Sequence, residues 1–267
     1  MTRIVFAALC ALALVSYASA RPAVASVPAH CVGCDFSHSD QHGKDFEGVS
    51  YVGADFSGAN LQHADFRNAK LVGADFKDAD LTGADLSNAN LIGVALRGAK
   101  LAGANLTKVK ATGVDVRGVG EGLTDAQLRG LFGHCTGCDA AGANVSGRDL
   151  SGVKMVGADM RNANAGRTRF TNADLVGVAF QNADLHDSDF GGAAVCWYNG
   201  DYRSDGSYGS YTRSDPQCLD LAGANVSGAD FRTAKICSGD RERKCSTVDA
   251  SMLRKLSHSS LAGALLP

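Results

Sequence analysis

The residues most able to do chemistry here are cysteines. The chain of 267 residues carries nine. Cys10 lies in an apolar N-terminal run, and the other eight stand at 31, 34, 135, 138, 196, 218, 237 and 245. Four of these make one motif twice, His30-Cys31-Val32-Gly33-Cys34-Asp35 and His134-Cys135-Thr136-Gly137-Cys138-Asp139. A CxxC spacing permits a local disulfide, offers two thiolates to zinc, or exchanges disulfides when a βαβ frame presents it. Cys31, Cys34, His38 and His42 have zinc-like spacing and are the metal candidates, but no histidines follow the second motif at that spacing. No βαβ pattern is present, which counts against a thioredoxin-like role. Buried, reduced cysteines replacing alanine are a further reading.

Other chemistry is not visible. The seven histidines are scattered, and none sits in a Ser-His-Asp or Cys-His arrangement. Glycine-rich spacings lack the GK[ST] that a phosphate loop needs. No enzyme activity and no cofactor are expected.

The elements that must position the cysteines follow a period of five. From Ala54 the chain reads ADFSG ANLQH ADFRN AKLVG ADFKD ADLTG ADLSN ANLIG. That period belongs neither to an amphipathic helix nor to a simple strand. It marks a solenoid whose units bury apolar side chains only by stacking. A large residue (Phe56, Leu61, Phe66) and a small one two positions earlier (Ala54, Ala59, Ala64) point to the same side of an extended backbone. The remaining positions, rich in Gly, Ser and Asn, supply corners.

These residues resemble the pentapeptide-repeat family, A(D/N)LXX, over Cys34–Val116, Cys138–Val195 and Leu221–Ile236. The resemblance implies an all-β fold, a right-handed quadrilateral parallel β-helix with four pentapeptides per coil. On that frame Phe36, Phe56, Phe76, Leu96 and Val116 stack in one column. Phe46, Phe66, Leu86 and Leu106 stack on the opposite side. Outside run two acidic lines, Asp35-Asp55-Asp75-Asp115 and Asp45-Asp65-Asp85-Asn105, and a mildly basic line, Ser50-Lys70-Asn90-Lys110. The acidic lines read as solvated faces, with a calcium or basic-ligand surface as the alternative.

The rhythm divides the chain. Residues 1–20 read as a secretory signal peptide, with Arg3, an apolar run and Ala-Ser-Ala before a cleavage site after Ala20. A lead-in (21–33) precedes the first repeat block (34–118). A helical insertion (119–137) follows, in which Thr124 and Gln127 form a capping box. The second block (138–195), an insertion (196–218), a last repeat coil (219–237) and a C-terminal cap (238–267) complete the chain. The cap includes a short helix over Val248–Ser257.

An even cysteine count in an exported chain points to disulfides. Local pairing, Cys31–Cys34, Cys135–Cys138, Cys196–Cys218 and Cys237–Cys245, leads. If 196–218 is a pure excursion, Cys196 and Cys237 become coil-to-coil neighbours and a rival pair. That insertion holds Trp197, Tyr198, Tyr202, Arg203, Tyr208, Tyr211 and Arg213, the residue types that binding loops favour.

Formal net charge is −2, or about −3 once Arg3 leaves with the leader, so no nucleic-acid stripe is expected. No apolar run of the mature chain is long enough to span a membrane. The leading functional reading is an exported, periplasmic or secreted, non-enzymatic solenoid that meets an unknown protein or glycan partner. Two alternatives stand beside it. Some family members mimic DNA and act on gyrase in the cytosol, and the CxxC motifs allow a metal or redox sensor.

Overall fold

A computed structural model describes residues 27–119, 122–198, 217–238, 244–256 and 261–267. The chain winds as a four-sided parallel β-solenoid. On one side, β1 (His30–Val32), β2 (Ser50–Val52), β3 (Lys70–Val72), β4 (Asn90–Ile92) and β5 (Lys110–Thr112) pair in register, each residue with the one twenty positions on. On the other three sides single bridges keep that period, in the series Asp35–Asp55–Asp75, Asp40–Asn60–Asp80 and Asp45–Asp65–Asp85. We call the strand side face A and the others, in chain order, B, C and D.

Backbone geometry explains the repeat. The N–H of each large inward residue donates to a carbonyl of the next coil (Phe56 to Asp75, 2.7 Å), and the preceding residue donates to the coil before (Asp75 to Ala54, 2.9 Å). These bonds hold the coils at the strand spacing of about 4.8 Å. Rings inside then stack at a similar distance, with centroids 4.6 Å apart for Phe46–Phe66 and 4.8 Å for Phe56–Phe76. The two stacks meet edge to face, 5.5 Å apart at Phe46–Phe56, an arrangement that the aromatic quadrupole favours. Alanines fill the remaining interior, and Ala54, Ala64 and Ala84 have no exposed surface.

The Asp or Asn of the repeat has a separate duty. Its Oδ1 accepts the backbone N–H two residues on, at 2.8 Å for Asp55–Ser57 and Asp85–Ser87. This side-chain turn satisfies an N–H just as the chain leaves the face. The next residue takes a positive φ, usually as glycine, although His63 does so at 58°. A Cβ at Gly83 would lie 2.6 Å from the His63 ring, whereas a Cβ at Gly53 would meet nothing within 4 Å.

The two repeat blocks form one solenoid. β6 (Cys135–Thr136) continues face A beyond β5, and Asp115 bridges Asp139. The four extra residues in that coil accommodate α1 (Asp125–Phe132), whose N-terminus carries the Thr124–Gln127 capping box. Leu128, Leu131 and Phe132 close the interior. Gln127 Nε2 donates to the carbonyls of Leu101 (3.0 Å) and Ala104 (2.9 Å), and Arg129 donates to the Asp149 carbonyl (3.0 Å) on the other side. Side chains thus supply hydrogen bonds where helix replaces repeat.

At the far end β7 (Ala194–Tyr198) pairs in parallel with β9 (Lys235–Ser238) and antiparallel with β8 (Gln217–Cys218), while β10 (Lys244–Thr247) pairs antiparallel with β9. Ala179 bridges Asp220, so the solenoid resumes after the insertion. A register shift between Ala194 and Cys196 sets Cys196 opposite Ile236. It removes the alignment on which a Cys196–Cys237 pair depends. After α2 (Ala250–Leu256) the repeat returns once more. Asp230 bridges Leu265, and Leu261 is buried. The sequence reading placed these residues in a cap, because Leu265 stands where Asp or Asn marks a repeat.

We expect Phe66→Ala to cost about 3–5 kcal/mol of stability, read from the urea midpoint. Gly83→Ala should cost more than Gly53→Ala, and His63→Ala should remove the difference.

Candidate functional site

The structure brings the cysteines together as four local pairs at disulfide distance. Cys31 and Cys34 have Cα atoms 5.9 Å apart and Cys135 and Cys138 5.6 Å apart, each pair at the start of a repeat block. Cys135 and Cys138 are buried, while Cys31 and Cys34 are partly exposed. Cys196 faces Cys218 across the β7–β8 pair, and Cys237 faces Cys245 across β9–β10, with Cα separations of 4.0 and 4.1 Å. Antiparallel partners brought directly opposite are well placed to bridge.

The four metal candidates do not converge. Cys31 and Cys34 meet each other. The His38 ring lies over Gly58, and the His42 ring stands edge-on to His63 at 5.6 Å. Among the described residues one other set of ligand types gathers, Asp45, Glu47 and Asp65. Arg67 already lies against two of them, 2.9 Å from Glu47 and 2.6 Å from Asp65. Of the recognition-loop residues, Tyr202, Arg203, Tyr208, Tyr211 and Arg213 lie outside the described residues, as does the leader. Trp197 and Tyr198 have a described backbone in β7, but their side chains lie outside the description.

Charge is organised by face. On faces B and D four of the repeat Asp residues are paired with an arginine two residues on. The Arg67, Arg117, Arg161 and Arg232 guanidinium hydrogen bonds hold Asp65, Asp115, Asp159 and Asp230 below the usual carboxylate range. Ser151 does the same for Asp149 and His186 for Asp184. At Asp80 burial pushes upward, but hydrogen bonds from Thr82 and Gln62 outweigh it and the carboxyl again lies low.

Face A is different. Each strand turns two side chains outward, one on either side of its inward centre. The first column reads His30, Ser50, Lys70, Asn90, Lys110, His134, Lys154, with no carboxylate before Asp174. Lys70, Lys110 and Lys154 are exposed and make no ion pair among the described residues. The second column reads Val32, Val52, Val72, Ile92, Thr112, Thr136, Val156, Val176, β-branched throughout. Val32 is 83% exposed, Val52 45%, Val72 38% and Ile92 40%; Leu265 is the other large apolar residue so exposed among those described. At the opposite end this ladder is covered. Val176 is buried with Ala194 and Cys237, and Val156 packs against them. The sequence reading saw the basic line but missed the ladder. A spacing of twenty at one outward position would have revealed it.

With that geometry in place, comparison with known proteins settles the family. A model described as pentapeptide repeats matches in eight copies, over residues 45–78, 52–88, 79–119, 134–164 and 166–196. The chain belongs to the pentapeptide-repeat family. It is similar to the pentapeptide repeat protein Rfr23 from the cyanobacterium Cyanothece 51142, at 31% identity over 30% of this chain and 54% of that one, with a TM-score of 0.30. The chain thus matches about half the length of Rfr23. It is similar to alr5209 from Nostoc PCC 7120 at 37% identity, over 31% of this chain and 70% of that one, with a TM-score of 0.29. HetL, from Nostoc sp. strain PCC 7120 and involved in heterocyst differentiation regulation, matches at 22% identity over 77% of this chain and 86% of its own, with a TM-score of 0.29. No curated protein matches the chain.

This pentapeptide-repeat protein should be acid-sensitive. Asp65, Asp80, Asp115, Asp149, Asp159, Asp184 and Asp230 have lowered folded-state pKa values, so their contribution is fully present above the unfolded value near 4 and is lost as pH falls below it. Melting temperature should be flat from about pH 5 to 7 and fall below about pH 4. Asp65→Asn and Asp115→Asn, which keep the turn acceptor and remove the charge, should each reduce that fall.

Proposed function

We propose that the chain is an exported, non-enzymatic scaffold, fastened by disulfides, whose outer faces bind a partner. The observation that carries this reading is the set of four cysteine pairs at disulfide distance. Two open the repeat blocks and two close the hairpins at the far end. Disulfides persist in oxidising compartments, and residues 1–20 have the pattern of a leader that delivers a chain to one. Among the described residues no helix is long and apolar enough to cross a membrane. Inside, Ala, Leu and Phe fill the coil; outside, most Asp and Asn are committed to turns. That division leaves the outer surface for recognition of a protein or glycan. The basic column of face A works against DNA mimicry, which needs acid all along the surface.

Intact mass from separated cell fractions tests the reading. The expected product begins at Arg21, and its eight thiols become alkylatable only after reduction. An uncleaved cytosolic product with free thiols would sink the proposal. In the oxidised protein, replacing Cys135 and Cys138 with serine should lower stability by about 2–4 kcal/mol, measured by urea denaturation.

A further inference from the structure

We propose that face A is a docking strip for an acidic amphipathic helix of a partner protein. The inference rests on the scaffold reading above and names the kind of partner. Three observations carry it.

The first is segregation of charge. Faces B and D begin with lines of Asp and face C with Asp40, Asn60 and Asp80, whereas face A has no carboxylate from His30 to Lys154. Several basic groups elsewhere, such as Arg67 and Arg117, pair with neighbouring carboxylates. Lys70 and Lys110 have no carboxylate before or after them in their column, which leaves positive charge seeking a complement.

The second is the apolar ladder beside that row. Four of the five exposed large apolar side chains among the described residues, Val32, Val52, Val72 and Ile92, stand in this one column. The same column is covered at Val176 by residues of the chain itself. Coverage is therefore sterically feasible, and the N-terminal half is the part left open.

The third is spacing. Coils repeat about every 4.8 Å along the axis. An α-helix laid along it presents one side chain per turn of about 5.4 Å, a near match over three or four coils. A strand laid the same way repeats on one side at about 6.8 Å and falls out of step. The occupant is thus a helix with an apolar stripe beside a stripe of Asp or Glu. A second copy packed by the same face would set its lysines against these lysines.

The test uses the purified, oxidised mature chain and a fluorescent helical peptide of about five turns, with Leu at i, i+3, i+4 and i+7 and Glu along one flank. Fluorescence anisotropy should show binding that weakens with salt, and a counterpart with Lys for Glu should not bind. Replacing Val52, Val72 and Ile92 together with threonine keeps β-branched residues already native to the column at Thr112 and Thr136. That variant should bind at least about tenfold more weakly. Lys70→Glu with Lys110→Glu should do likewise, and Thr107→Glu on face D should leave binding unchanged.

Equal binding of both peptides, or no effect of the threonine variant, would overturn the proposal. So would sedimentation showing a dimer that the threonine variant dissolves, which assigns the face to a second copy. Binding to phosphatidylglycerol vesicles without peptide binding would assign it to lipid and equally overturn the proposal. Because the protein is purified and oxidised, none of these results depends on where the cell places it.

Discussion

A coil of twenty residues can be stacked only if every coil has the same cross-section. Backbone hydrogen bonds fix the rise, and each face then has room for one large and one small side chain. Phe56 cannot spread without displacing Phe36 and Phe76, so rings in a column lie parallel. The same constraint governs the exceptions. Thr168 and Ser188 take small-residue positions, and each bonds its hydroxyl to a carbonyl of the coil before. A buried polar group is tolerated there because the neighbouring coil offers an acceptor at the right height.

Uniform interior filling separates structural from variable positions. Inward residues have few alternatives, and the Asp or Asn before each centre is held by its turn. What remains free is the outward residue after the centre, together with any repeat that dispenses with Asp. Individuality therefore collects on the outer surface. Face A shows this most clearly, since beside its β-branched column runs a row of His, Ser, Asn and Lys with no carboxylate from His30 to Lys154.

The solenoid, its two aromatic columns and α1 were legible because a five-residue period and a capping box are local signals. Other features were not. The choice of partner for Cys196 turned on a one-residue register shift after Ala194, and no composition reveals a bulge. The last repeat at Leu261–Leu265 was hidden because it lacks Asp and Asn. The Val–Ile–Thr ladder was present in the sequence, but a period of five averages it with three other faces. It emerges only when the chain is read twenty residues at a time.

The antiparallel strand β10 has a consequence for how such molecules meet one another. A parallel solenoid ends in an open row of N–H and C=O groups in the polarity that another coil could continue. Beside β9, however, the edge is occupied by a strand running the other way and clipped at Cys237–Cys245. A coil arriving from another molecule would find the wrong polarity there. One reversed strand of four residues thus acts as a terminator on face A, and it blocks fibre growth by head-to-tail addition along that side.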